Sequence, residues 1–322
     1  MATDKSGRKK LLKGIITIVI LVIATVIGVD ITTTPTEEAN NQNQENIVTQ
    51  NVDGELMLHM IDVGQADSFL LIQGNETALI DCGTRSTGKD VVDYLNSIGI
   101  TKLDYVFGTH PHDDHMGGMY EVITNFEVGK VIIPEAKNAQ ITSNWYAKLM
   151  KELKTGKYEV EYPEVGEVYN LGDATMKVIG PMGEPNDNIN NYSTVLKVSF
   201  GEMDIIMTGD AETEVENVIL QSGENIDAEI LKLGHHGSDT STSEEFLEAV
   251  SPQYGLISAK VGNKYKHPIK STMEKLEENN VEVYRTDENG TVVAEITSND
   301  VKFSCQPGDY LSGTELEEGN AA

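Results

Sequence analysis

The chain has 322 residues, 24 Lys and Arg against 52 Asp and Glu, a formal net charge of -28 and 39% hydrophobic residues. That is enough apolar side chain for one large domain or two small ones, and it excludes whole-chain disorder, a collagen repeat and a coiled coil. A surface so acidic repels phosphate backbones and anionic lipid at long range, which argues against a broad nucleic-acid-binding face.

The charge is unevenly spread. Lys5, Arg8, Lys9, Lys10 and Lys13 precede a 16-residue apolar run from Gly14 to Val29. That order keeps an N-terminus in the cytoplasm and sends the rest across the membrane. The run is just shorter than the roughly 17 to 25 residues that span a bilayer, so a cleaved signal peptide competes with an anchor. No small-x-small pair marks a cut near Ile27-Gly28-Val29, and the anchor is preferred. The expectation is a cytoplasmic basic segment 1–13, a transmembrane signal-anchor 14–29 and a single-pass cell-membrane protein with an extracellular catalytic domain, secreted if the segment is cleaved. Residues 30–54, mostly Thr, Asn, Gln and Glu, cannot bury enough surface to fold and are expected to be a disordered linker. A globular block 55–304 and an acidic tail 305–322 follow. Cys82 and Cys305 are too few for a disulfide framework, leaving one bridge or two free thiols.

Leu56 to Asp62, Ser68 to Ile72 and Thr77 to Asp81 are expected to form a three-strand meander, with turns at Gly64 and Gly74-Asn75. A helix over Lys89 to Ile98 and a buried strand from Leu103 to Gly108 come next. Further strands are predicted at Lys130 to Ile133, Thr175 to Ile179, Thr194 to Phe200, Asp204 to Met207, Glu229 to Leu233 and Tyr254 to Ser258. Helices are predicted near Ser143 to Lys154, Glu212 to Gln221, Ser243 to Val250 and Ser271 to Asn279. Hairpins mixed with helical crossovers predict an α/β (α+β) fold: two mixed sheets packed together, helices outside.

Six of the seven histidines lie in three clusters just after predicted strands. In the first, His110-Pro111-His112-Asp113-Asp114-His115, His110 and His112 point the same way in extended backbone, and Asp114 and His115 sit where the chain turns into a helix. Three imidazoles and a carboxylate so close together are costly to bury unless a divalent metal holds them. Asp81 and Asp210 each close an apolar strand. Asp210 could be only a helix N-cap, but beside the histidines a carboxylate can bridge two cations. In Gly234-His235-His236-Gly237-Ser238, adjacent residues on a strand edge face opposite ways, so one histidine is expected to ligate and the other to reach substrate. His267 follows Lys264, Tyr265 and Lys266, while His59 is assigned to packing.

These residues resemble the metallo-β-lactamase superfamily: His110-x-His112-x-Asp114-His115, with Asp81 upstream and Thr208-Gly209-Asp210 downstream. Four further segments, Ile61 to Ser68, Asn190 to Leu196, Leu231 to Ser238 and Tyr284 to Asp287, resemble the C-terminal hydrolase domain of the ComEC competence family. The resemblance implies an αββα sandwich with two divalent metal ions, Zn2+ or Mn2+, at one sheet edge, hydrolysing a phosphodiester or ester with metal-bound hydroxide. Carried over, His110 and His112 would hold one metal, Asp114 and His115 the second, Asp210 would bridge and His236 would complete the second site. Asp81 would orient the cluster from outside it. Asp114, His235 and His267 are the expected catalytic side chains, with Ser238, Lys260 and Tyr265 gripping substrate on a basic rim shared with Lys264, Lys266 and Lys270. Many superfamily members have another histidine between the first cluster and the bridging Asp; none lies between His115 and His235 here, and Asn190-Asn191-Tyr192-Ser193 occupies that region.

DNA is the substrate the resemblance suggests, with a cell-envelope or small-molecule ester, as in choline-phosphate esterases, as the alternative and a non-catalytic metal-binding module as a third reading. The family's multi-helix channel region has no counterpart in the sequence, so conduction of DNA is not expected. The expected contacts are substrate, and membrane through the N-terminal anchor; no obligate protein partner is expected.

Overall fold

The structure, a computed structural model, describes residues 54–136, 141–181 and 187–320. The segments expected as basic stretch, anchor and nearly all of the linker lie outside the described residues. Among the described residues no helix is long and apolar enough to cross a membrane.

Strands with period-two burial build two sheets. β1 (Leu56–Met60), β2 (Phe69–Gln73) and β3 (Glu76–Ile80) form the expected antiparallel meander. Helix α1 (Gly88–Ser97) crosses over to β4 (Lys102–Phe107), which lies parallel to β3. The short helices α2 (Asp113–Met116) and α3 (Met119–Asn125) lead to β5 (Glu127–Ile132), and α4 (Asn144–Leu153) precedes β6 (Glu159–Glu161); both strands are again parallel.

The second sheet begins antiparallel with β7 (Val168–Leu171), β8 (Ala174–Gly180), β9 (Val195–Phe200) and β10 (Met203–Met207). It turns parallel through β11 (Ile230–Lys232), β12 (Tyr254–Ile257) and β13 (Glu282–Arg285), which are separated by α6 (Glu244–Val250) and α7 (Lys270–Glu278); α5 (Thr213–Ser222) precedes β11. After α8 (Thr286–Asn289) the chain returns to the first sheet, where β14 (Val292–Ile296) pairs with β1 and β15 (Val301–Phe303) forms the edge.

Alternation along each strand sorts side chains into three apolar layers. Leu58, Phe69, Ala78 and Phe107 of the first sheet meet Met176, Leu196, Ile205 and Leu256 of the second in the central layer. Leu70, Leu79 and Val106 turn the other way, onto Val91 and Leu95 of α1, Val122 of α3 and Leu149 of α4. Ile206, Leu231 and Ile257 do the same against Val215 of α5, Phe246 of α6 and Met273 of α7. The result is the expected αββα sandwich of two mixed sheets.

The strands β6, β7, β13, β14 and β15 fall outside the sequence expectations. They are short and interleaved with polar residues; Arg285, at the end of β13, is fully buried and paired to Asp287 by two contacts, Nε to Oδ1 at 3.0 Å and Nη2 to Oδ2 at 2.9 Å. Residues 305–320, expected as an acidic tail, include helix α9 (Gly313–Asn320), and Arg285 Nη1 donates to the carbonyls of Asp309 and Leu311 just before it. Both cysteines are free thiols, Cys82 buried and Cys305 partly so.

Candidate metal centre

The parallel strands end on one side of the sandwich, and their C-terminal loops carry the polar residues. β3 runs into Asp81, β4 into Thr109 to His115, β10 into Asp210, and β11 into His235 and His236. The loops are stitched together through backbone: Cys82 N–H donates to the His115 carbonyl (2.7 Å), Thr194 N–H to that of Thr109 (2.9 Å) and His235 N–H to that of Gly209 (3.2 Å).

Asp210 stands at the centre, 1% exposed. Its Oδ2 lies 3.1 Å from His115 Nε2, 3.6 Å from His235 Nε2 and 3.8 Å from His110 Nε2. Its Oδ1 lies 3.8 Å from His236 Nε2, which is itself 3.8 Å from Asp114 Oδ2. His112 Nδ1 is 3.0 Å from His110 Nε2. Donors around one tetrahedral ion, with bonds of about 2.1 Å, stand roughly 3.4 Å apart, and these spacings bracket that figure. Overlapping groups of mutually close donors result: His110, His115 and Asp210; Asp114, His115 and His236; and Asp67, Asp210 and His236. Asp210 is not the cap of α5, whose N-cap is Glu212.

Outer partners decide which ring nitrogens face inward. His115 Nδ1 is 2.7 Å from Asp81 Oδ2. Asp81 in turn accepts from Thr109 N–H (2.8 Å) and Oγ1 (2.7 Å). His236 Nδ1 donates to the Ser258 carbonyl (2.9 Å), and His110 Nδ1 lies 3.2 Å from Ser193 Oγ. With Nδ1 engaged, the Nε2 lone pair is directed into the site. His115 Nε2, His236 Nε2 and Asp210 Oδ1 are all buried without a hydrogen-bond partner, which in a closed core is tolerable only where a cation joins them. The donor set therefore fits divalent metal.

The charges make the same demand. Burial works to lower the His115 and His236 imidazoles, yet the carboxylates of Asp210, with Asp81 for the first and Asp67 for the second, hold His115 well above its usual range and push His236 up to about 10. Burial likewise opposes ionisation of Asp210, but His115 and His236 hold it well below the usual carboxylate range. Protons on these rings supply the positive charge that metal ions would supply. His110 is held well below its ordinary value by burial and by the neighbouring His115.

The two adjacent histidines are not on a strand edge. They occupy a 3-10 turn with left-handed backbone, φ 50° and 56°, which turns both Nε2 atoms toward Asp210 instead of apart. Ser238, expected to grip substrate, is 3% exposed, and its Oγ is engaged by Thr240 N–H (3.2 Å) and Oγ1 (3.1 Å). Lys260 and Tyr265 do line an open cavity of 390 Å³ above the centre, with Gln65, Thr84, Asp114 and Lys264. Of the four rim lysines, Lys270 pairs with Glu315 (2.8 Å) and Lys266 with Glu317, so two are already neutralised by the C-terminal helix. His267 stacks on Tyr265 with ring centres 5.5 Å apart, and burial together with His235 and His236 pushes it down to about 4. His59, assigned to packing, is buried and bonds through Nδ1 to Tyr94 Oη at 2.7 Å.

Asp67 and Lys232 complete the centre without having been singled out by their residue types. Both are 1% exposed and joined at 2.5 Å, and Lys232 Nζ also donates to the Gly209 carbonyl at 2.7 Å. Asp67 Oδ1 approaches His236 Nδ1 at 3.3 Å. The available signal was a lysine inside the apolar run Ile230-Leu231-Lys232-Leu233, which demands a buried anion.

The sequence profile described as the Metallo-beta-lactamase superfamily matches residues 61–259. ComE operon protein 3 of Bacillus subtilis is 31% identical over 266 residues, 77% of this chain and 34% of that protein. Competence protein ComA of Neisseria gonorrhoeae is 30% identical over 242 residues, 74% of this chain and 32% of that protein. The chain thus spans about a third of the length of these curated relatives. Among solved structures, CmlA, a diiron beta-hydroxylase from Streptomyces venezuelae, aligns over 76% of this chain and 54% of its own with a TM-score of 0.52 and 15% identity, a likeness of fold. The chain belongs to the metallo-beta-lactamase superfamily, in general a family of metal-dependent hydrolases, with homologues among competence proteins.

Proposed function

We propose that this protein is a membrane-anchored, extracellular phosphodiesterase with a dinuclear metal centre, and that DNA is its substrate. The observation that carries the hydrolase reading is the ring of inward-facing donors at Asp210, in which His115 Nε2, His236 Nε2 and Asp210 Oδ1 itself are buried and unpartnered. His110, His112 and Asp210 would hold one divalent ion, and Asp114, His115, His236 and Asp210 the other, Zn2+ or Mn2+. Two cations so held would supply a water activated at neutral pH and would offset charge developing on the substrate. The chain's own groups do the rest. Asp210 fixes the spacing of the two halves, and Asp81 holds the His115 ring in the one orientation that keeps Nε2 inward. Lys260 and Lys264, on the cavity wall, would meet an anionic diester, with Tyr265 stacked on His267 beside them. His267, near 4, is neutral at physiological pH and is suited to share a hydrogen bond with the leaving oxygen; delivering a proton would require the bound anion to raise it first.

The neutralised Lys266 and Lys270 favour a second reading, a small envelope-derived ester or diester in place of a long polyanion. The full chain loaded with Mn2+ or Zn2+ distinguishes the two. Cleavage of plasmid DNA supports the nuclease reading, whereas turnover of bis-para-nitrophenyl phosphate with DNA left intact supports the small-substrate reading. A metal-loaded protein inert toward both would overturn the hydrolase assignment.

A further inference from the structure

We infer that the adjacent histidines serve different metals: His236 belongs to the ion held with Asp114 and His115, and His235 is the fourth donor to the ion held with His110, His112 and Asp210. The inference rests on the two-metal reading above.

The donor count motivates it. One side of the centre has four protein donors, whereas the other has two imidazoles and a carboxylate oxygen. His235 Nε2 lies 3.6 Å from Asp210 Oδ2, the same oxygen that stands 3.8 Å from His110 Nε2. His236 Nε2 instead faces Asp210 Oδ1, at 3.8 Å. The two rings thus face different oxygens of the Asp210 carboxylate, with His115 Nε2, 3.1 Å from Oδ2, standing between the two halves.

The backbone is shaped for this division. Consecutive side chains in extended chain diverge. Two successive residues at φ 50°, ψ 47° and φ 56°, ψ 27° depart from that, and the ring centres stand 6.2 Å apart. Left-handed backbone is unfavourable for any residue with a Cβ, and such conformations persist where the surroundings impose them, chiefly at functional sites. His235 N–H, bonded to the Gly209 carbonyl at 3.2 Å, fixes the turn to the loop that presents Asp210.

His235 also has the outer partners of a ligand. Its Nδ1 is 3.2 Å from Thr240 Oγ1 and 3.7 Å from Glu212 Oε1. Glu212 is itself held by Asn190 Nδ2 at 2.8 Å and Asn188 Nδ2 at 2.7 Å. The Thr240 hydroxyl engages Nδ1, with the Glu212 carboxylate nearby but not hydrogen-bonded to it, and Nε2 is left on the Asp210 side.

Metal stoichiometry tests the inference independently of activity. The full chain, stripped with chelator, reloaded with Mn2+ and desalted, should retain two equivalents and give the spin-coupled resonance of a manganese pair. His235→Gly accepts φ 50° without a Cβ and so spares the turn; His235→Asn tolerates the same backbone but cannot reach the ion. Each should retain one equivalent, give the six-line resonance of isolated Mn2+ and bind the second ion more than about 100-fold more weakly, beyond the 10- to 100-fold lost with an outer partner alone. Thermal melts of the metal-free variants verify folding. Two retained equivalents, or a smaller loss in affinity, would place His235 outside the first coordination sphere and overturn the inference while the two-metal reading stands. A wild-type chain that retains fewer than two ions would overturn both.

Discussion

Asp67 and Lys232 form a buried ion pair beside Asp210, and its value lies in what happens when half of it is removed. Lys232→Met leaves Asp67 buried without its cation, so we expect the metal-free protein to lose about 3 to 5 kcal/mol in urea denaturation, with the double variant Asp67→Leu/Lys232→Met recovering most of that loss. His267 supports a second expectation. It is pushed down to about 4, against an ordinary value of about 6.5, so between those values the unfolded chain binds a proton that the folded chain refuses. This contribution is fully present above about pH 6.5 and is lost as pH falls to 4. Metal-free protein should lose up to about 3 kcal/mol more across that window than His267→Gln, as read from urea midpoints at a series of pH values. The clustered histidines and strand-ending aspartates were legible in the sequence because three imidazoles within six residues have few other uses. Asp67, Lys232 and Glu212 were not, since their roles exist only where loops from different strands meet. The pairing of His235 with His236 was misread because period-two alternation was applied to a turn that is not extended.

At the level of elements, the site depends on how closely α1 and α3 cross. A Cβ at Gly118 would stand 2.1 Å from the Cys82 carbonyl oxygen and 2.7 Å from Gly88 Cα, both backbone atoms with no freedom to move aside. The loop under pressure is the one in which Cys82 N–H holds the His115 carbonyl at 2.7 Å. Gly118→Ala should therefore cost about 1 to 3 kcal/mol in a thermal melt and weaken Mn2+ retention as well, whereas an overpacked site remote from the centre would affect stability alone. Nothing in the sequence at Gly117-Gly118 announces this, because close approach is a property of two helices together. The meander and the long crossover helices were legible, their apolar periods being carried by consecutive large side chains. β7 and β13 were not: Tyr169 and Leu171 alternate with exposed Val168 and Asn170, and β13 ends in a buried arginine whose neutralising aspartate belongs to the next element.

For the molecule as a whole, the question is how a chain of net charge -28 would bind a polyanion. The sequence suggested a rim of four lysines, but the fold assigns two of them to acids of a helix that composition alone marked as a tail. Lys260 and Lys264 remain on the cavity wall. Each phosphate contact made by a lysine releases about 0.9 counterion from duplex DNA, so two contacts set a slope of about -2 in a plot of log affinity against log salt. Lys260→Ala should bring that slope to about -1 without changing Mn2+ content. Glu315→Gln with Glu317→Gln should act in the opposite direction, freeing Lys266 and Lys270 and steepening the slope toward about -4 if both reach phosphate. The measurement is DNA binding by metal-loaded protein from low to moderate salt. A slope that the two glutamine substitutions leave unchanged would mean that the C-terminal helix does not restrain the rim, and that the long-range repulsion of the acidic surface alone sets which anions enter.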